Sequence, residues 1–305
     1  MLSRLALAVL SLPVLDANEP VREVTSEAVL VGNQLVPACR GGYVYWIEEP
    51  DNSYVRVYAP NGHLVFTTTI RDQKTGAARI QNLAIDSERT VAVSWISGGS
   101  VGRRTGIDVL DWTGRVKNSI DTGTYVAAHL VYGDDGILWT FGWQLRAGAA
   151  GQDYMTLRRF SQDGKQMGAW LPRSSFPKGL DPGGVSWQVI RITVAKDRIG
   201  VLAYSGMTGS DQEWLELDLK GNLIGRWRLD NSDHARASLT SDGRVYVQKG
   251  NGPSVSQFYI LDRAGSDWKL ITPPTNDRFC SADGDKLVFT AWKNGPMKLR
   301  WFDQP

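Results

Sequence analysis

The sequence predicts an all-β fold: a six-bladed β-propeller of four-stranded antiparallel blades, closed by its own N-terminal strand. Three observations carry this reading. A strand, an Asp-x-x-Gly turn and a second strand recur along the chain. A polar turn followed by a strongly apolar strand precedes each copy. The last unit stops one strand short, and a spare strand stands near the N-terminus.

The first motif reads Val57–Phe66, Val109–Asn118, Arg159–Gly168, Leu217–Gly225 and Ile260–Trp268, with its glycines at 62, 114, 164, 221 and 265. Glycine suits the positive φ that a tight hairpin demands, and Asp or Asn accepts local backbone hydrogen bonds there. The apolar strands of the second motif are Tyr43–Ile47, Val91–Ile96, Ile137–Phe141, Ile199–Tyr204, Val245–Gln248 and Leu287–Trp292. Polar turns such as Asp86–Arg89, Gly133–Gly136 and Ser241–Arg244 lead into them. Each unit therefore reads as four strands, A to D, with short turns between A and B and between C and D. The recurrence is near the about 40–50 residues of known propeller blades. A β-sandwich of irregular hairpins is the alternative, but it does not account for both motifs returning in the same order.

Leu299–Pro305 repeats strand C as far as the turn residue Asp303, so the sixth unit lacks strand D. Arg22–Leu30 (REVTSEAVL) is β-compatible and can supply it. Pairing the two ends leaves no open sheet edge at the seam. The architecture resembles the six-bladed propellers of the NHL and TolB-like kind. The resemblance covers nearly all of the expected mature chain. It rests on the turns at Asp111, Asp218 and Asp262 and the variants at Ala59 and Ser161. It implies a fold and no particular activity, because many activities share that scaffold.

Composition agrees with a globular chain. Of the 305 residues, 42% are hydrophobic and 22% charged, with 32 glycines for tight turns and 12 tryptophans. A net charge of +2 without a basic run gives no grip on a phosphate backbone, so nucleic acid is not expected as a partner. Met1–Arg4 is positive and Leu5–Leu15 is apolar but too short to span a bilayer. Residues 1–17 are accordingly read as a signal peptide and 18–305 as one propeller domain, periplasmic or secreted, with no membrane span. Two cysteines, Cys39 and Cys280, fall in the first and last blades and are the disulfide candidates across the closing seam.

In a propeller the D-to-A and B-to-C loops share one face, and here they are the long ones. They carry the expected ligand-binding residues Arg103, Arg104, Tyr125, Trp143, Arg146, Trp187, Gln188, Arg236 and Arg278. Arginine forks onto anionic groups and aromatics bury area at little entropic cost, so the expected partner is a protein, a glycan or an anionic small molecule. His129 and His234, from blades three and five, are the catalytic candidates near the channel. No G-x-S-x-G, H-E-x-x-H or P-loop motif occurs, and no Glu/Asn/Asp set stands at the inner strand ends. The reading is a non-enzymatic binding or scaffolding propeller of the cell envelope, with no cofactor or metal. The alternative is a periplasmic lyase or hydrolase using the channel histidines, with or without a metal.

Overall fold

The computed structural model describes residues 19–30, 38–48, 54–76, 78–98, 102–145, 153–177, 192–204, 211–230, 235–250, 256–291 and 295–305. The expected signal peptide lies outside them. The first strand is β1 (Arg22–Leu30). Blade one follows as β2 (Ala38–Arg40), β3 (Tyr43–Glu48), β4 (Tyr54–Tyr58) and β5 (Leu64–Thr69). Blade two is β6 (Arg79–Ile85), β7 (Val91–Ser97), β8 (Arg104–Leu110) and β9 (Val116–Gly123). Blade three is β10 (Tyr125–Tyr132), β11 (Leu138–Gln144), β12 (Met155–Phe160) and β13 (Gln166–Pro172), followed by a single 3-10 turn at Arg173–Ser175. Blade four is β14 (Ile192–Ala195), β15 (Arg198–Tyr204), β16 (Gln212–Asp218) and β17 (Leu223–Leu229). Blade five is β18 (Arg236–Leu239), β19 (Val245–Lys249), β20 (Gln257–Asp262) and β21 (Asp267–Ile271). Blade six is β22 (Arg278–Asp283), β23 (Lys286–Thr290) and β24 (Gly295–Phe302), and β1 completes it in the order β1-β24-β23-β22. The chain is a six-bladed β-propeller.

The turn chemistry follows the sequence motif. Gly62, Gly114, Gly164 and Gly221 all have positive φ, and each donates its amide to the carbonyl of the residue three before it. The fifth turn departs from this. Its positive φ falls on Ser266 rather than Gly265, because the Asp262 carboxylate takes the Ala264 and Gly265 amides and shifts the turn by one residue.

Six apolar clusters fill the six seams between neighbouring blades. One joins blades one and two around Val57, Ile80 and Val93, and another joins blades six and one around Val44, Val288 and Trp301. The others join two to three, three to four, four to five and five to six. Cys39 of β2 and Cys280 of β22 form a disulfide in the six-to-one seam, with Cα atoms 5.6 Å apart. Each inner strand starts at a D-to-A connection, which is a single residue between β9 and β10 and longer elsewhere, and ends at a short A-to-B turn. Its first residue therefore sits at the long-loop end of the central channel and its last at the opposite end.

Candidate binding cleft on the long-loop face

The loop after β5 is built around one carboxylate. Asp72 is buried, and it accepts the Lys74 amide at 3.0 Å and the Thr75 hydroxyl at 2.8 Å. Its own carbonyl accepts the Gly76 amide at 2.8 Å. These bonds form a side-chain-mimicked turn of the kind Asp favours. Arg104, at the start of β8 in the next blade, donates to the same carboxylate at 2.6 Å and reaches Asp121 at 3.4 Å. Burial pushes the Asp72 carboxyl up, but the Lys74 amide, the Thr75 hydroxyl and Arg104 outweigh it and hold it below the usual carboxylate range.

The result is a cleft of about 360 Å³ between blades one and two. Arg71 and Lys74 stand exposed at one side of it, and Trp95, Asp108 and Ser119 line the other. The Trp95 ring lies over Gly106, where a Cβ would collide with it. The Trp95 side chain is buried, and its indole N–H interacts with the Asp108 carboxyl. Asp108 is buried too; burial raises its carboxyl, and the Ser119 hydroxyl, donating at 2.7 Å, opposes that rise. One cleft thus holds two carboxyl groups moved in opposite directions and exposed cations.

The sequence-predicted site residues scatter around this geometry. Arg104 is in the cleft, and Arg103 is exposed just before β8. Trp143 is half-buried in β11. Tyr125 is not on a loop surface. It is buried at the start of β10, donates to the Thr156 carbonyl at 2.9 Å, lies 3.0 Å from the Thr140 hydroxyl, and has the Arg158 guanidinium 3.9 Å above its ring. Arg236 and Arg278 likewise belong to strands. Each opens an inner strand, in blades five and six, and each is buried at the long-loop end of the channel. Desolvation brings the Arg278 guanidinium down to about 10. His129 has no exposed surface; its Nδ1 is 3.5 Å from Asn82 Nδ2, and its ring packs near Phe141. His234, Arg146, Trp187 and Gln188 lie outside the described residues. Among the described residues no group of three or more His, Cys, Asp or Glu is placed to hold a metal, and no helix is long and apolar enough to cross a membrane.

Asp72, Lys74, Trp95 and Asp108 escaped the sequence reading. The one local signal was the Asp-x-Lys-Thr spacing at 72–75, which suits a side-chain turn.

Comparison with known proteins supports the fold and stops there. No protein-family model matches the chain, and no curated protein does. Among solved structures it is similar to a protein of unknown function from Dyadobacter fermentans, at 9% identity and TM-score 0.52, over 95% of this chain and 100% of the other. It is also similar to the β-propeller domain of the trilobed protease from Pyrococcus furiosus, at 10% identity and TM-score 0.48, over 74% and 69% of the two chains. A third likeness is the gluconolactonase XC5397 from Xanthomonas campestris, at 12% identity and TM-score 0.45, over 94% and 88%.

Proposed function

We propose that this chain is a binding propeller of the cell envelope that takes an anionic, hydroxylated ligand, such as an acidic glycan, in the cleft between blades one and two. The supporting observation is the cleft itself. Two exposed cations, Arg71 and Lys74, stand at its side, on a loop ordered by Asp72. Such cations attract the anionic group of the ligand, and the arginine fork suits a carboxylate or sulfate. Export rests on the charged-then-apolar N-terminus and agrees with the disulfide. A glycan array containing uronic-acid and sulfated sugars tests the reading. Binding should be salt-sensitive and should fall at least tenfold in the Arg71→Ala/Lys74→Ala variant. Binding that is absent, or unchanged in that variant, overturns it.

A second reading has one observation in its favour. Asp108 is raised and Asp72 lowered within one cleft, the separation that acid–base catalysis uses. A hydrolase would then employ Asp108 as the proton donor, rather than His129, which has no exposed surface. Turnover of a bound glycoside that is lost in Asp108→Asn, with binding retained, would favour this reading over simple binding.

A further inference from the structure

On the face opposite the long loops, the central channel ends in a cavity of about 230 Å³. All six blades contribute to its wall, so it lies on the axis of the ring. One feature of that wall is chemically out of place. Arg40, the last residue of inner strand β2, lines it with all three guanidinium nitrogens buried, and none of them has a hydrogen-bond partner among the described residues. It takes part in no ion pair there either. A buried, uncompensated charge costs several kcal/mol, and structures normally pair it or keep it in water. Desolvation accordingly lowers the Arg40 guanidinium from its ordinary value.

Three hydroxyls share the cavity wall with Arg40. Thr193 Oγ1 is buried and meets no hydrogen-bond partner among the described residues. Ser238 Oγ accepts the Ala282 amide at 2.9 Å, and Ser281 Oγ accepts the Gly41 amide at 2.9 Å. Each serine oxygen is thus used as an acceptor, which leaves its own O–H to donate. Arg40 and these three hydroxyl side chains thus come from blades one, four, five and six to the wall of one cavity. At the rim, the turn residues Asp86 and Asp283 are held by the Thr90 amide at 2.6 Å and the Trp301 indole at 2.8 Å.

We propose that this axial cavity binds a small organic carboxylate, with its anionic head against Arg40 and a hydroxyl or ammonium group toward Asp86 and Asp283. The guanidinium fork matches a carboxylate in two parallel hydrogen bonds. The two rim carboxylates repel a doubly charged phosphate and supply acceptors for a donor on the ligand's other end. A cavity of about 230 Å³ has room for one small molecule. This site is separate from the cleft on the long-loop face and stands whatever that cleft binds.

Thermal melts and calorimetric titration of the wild-type protein with lactate, serine, acetate and inorganic phosphate test it, against sodium chloride at matched ionic strength. Lactate or serine should raise the melting temperature by about 3 °C near saturation, with acetate and phosphate weaker and chloride inert. Arg40→Met should lose the response. Its melting temperature without added anion should equal or exceed that of the wild type, because an unpaired buried charge has been replaced by an apolar chain. Should Arg40→Met fail to fold, Thr193→Val, which keeps the charge, should weaken the lactate dissociation constant by about 3–10-fold for one lost hydrogen bond to a charged group. Arg71→Ala/Lys74→Ala should respond as the wild type does. A channel that holds only water gives no carboxylate-specific shift. That result overturns the proposal, as does an Arg40→Met variant that responds like the wild type.

Discussion

Arg263 of blade five clamps Glu216 of blade four through two hydrogen bonds, Nε to Oε2 at 2.9 Å and Nη2 to Oε1 at 2.6 Å. Glu216 has no exposed surface, and it also receives Arg198 at 3.1 Å and the Trp214 indole at 3.1 Å. Arg263 donates onward to the Gly243 carbonyl at 2.6 Å. A carboxylate with four donors is fully satisfied, so removing it takes the shared anion from two partly buried guanidinium groups, Arg198 and Arg263. Glu216→Ala should therefore destabilise the fold by about 3–5 kcal/mol, read from urea unfolding. Arg263→Ala should cost less, because Arg198 and Trp214 still cover the carboxylate.

The six-to-one seam is closed twice, by β1 on β24 and by the Cys39–Cys280 bridge. The bridge spans 241 residues of sequence, so in the unfolded chain it closes a very long loop. Cys39→Ser/Cys280→Ser should lose about 2–5 kcal/mol of stability, and reductant should reproduce that loss in the wild-type protein. Calorimetry with and without reductant checks both. Equal melting temperatures in all three samples would show that the strand pairing alone closes the ring.

The fold was legible because its information is local. An Asp-x-x-Gly turn fixes a hairpin within a few residues, and repetition does the rest. The closing strand was legible because β1 had no partner near it in sequence while the last unit lacked one. Its register, Arg22 opposite Trp301 and Glu23 opposite Arg300, was not legible, because it depends on a shift between Thr25 and Val29.

The site was far less legible, for two physical reasons. Inner strands carry register shifts, between Ile80 and Asn82 in β6, between Val126 and His129 in β10 and between Phe279 and Ser281 in β22. An extra residue flips every later side chain to the other face, so counting by twos along β10 cannot say where His129 points. The second reason is distance. Asp72 and Arg104 are 32 residues apart and meet only because blades one and two pack together. That Arg40 meets no partner among the described residues is visible only once the other five inner strands surround it.

Gly62 ties the blade-one turn to the closing strand. Its φ is +89°, its carbonyl accepts the Glu27 amide at 2.7 Å, and a Cβ there would collide with the Thr25 carbonyl oxygen. Gly76 has a similar φ of +79° but open space around it. Gly76→Ala should thus cost only the left-handed backbone, about 1–2 kcal/mol. Gly62→Ala should cost clearly more and should also raise hydrogen exchange in residues 22–28. Equal losses from the two substitutions would mean that β1 yields freely at this contact.

The closing strand also carries a pH dependence whose sign can be worked out. Glu23 of β1 accepts Lys298 at 2.9 Å and Arg300 at 2.7 Å, both on β24. These two hydrogen bonds, the Lys298 one first, hold its carboxyl below the ordinary range against a smaller opposing effect of burial. A carboxyl lowered in the folded state contributes stability that is fully present above its unfolded value of about 4 and is lost as pH falls through the folded value. The side chain is about one-third exposed, so screening makes the contribution modest. Glu23→Gln should be less stable than the wild type at neutral pH. The gap should narrow on acidification and close once Glu23 is protonated in both states. Urea midpoints for the two proteins across that range measure it, and added salt should narrow the gap at neutral pH in the same way. A gap that is constant with pH would assign the loss to altered strand packing rather than to charge.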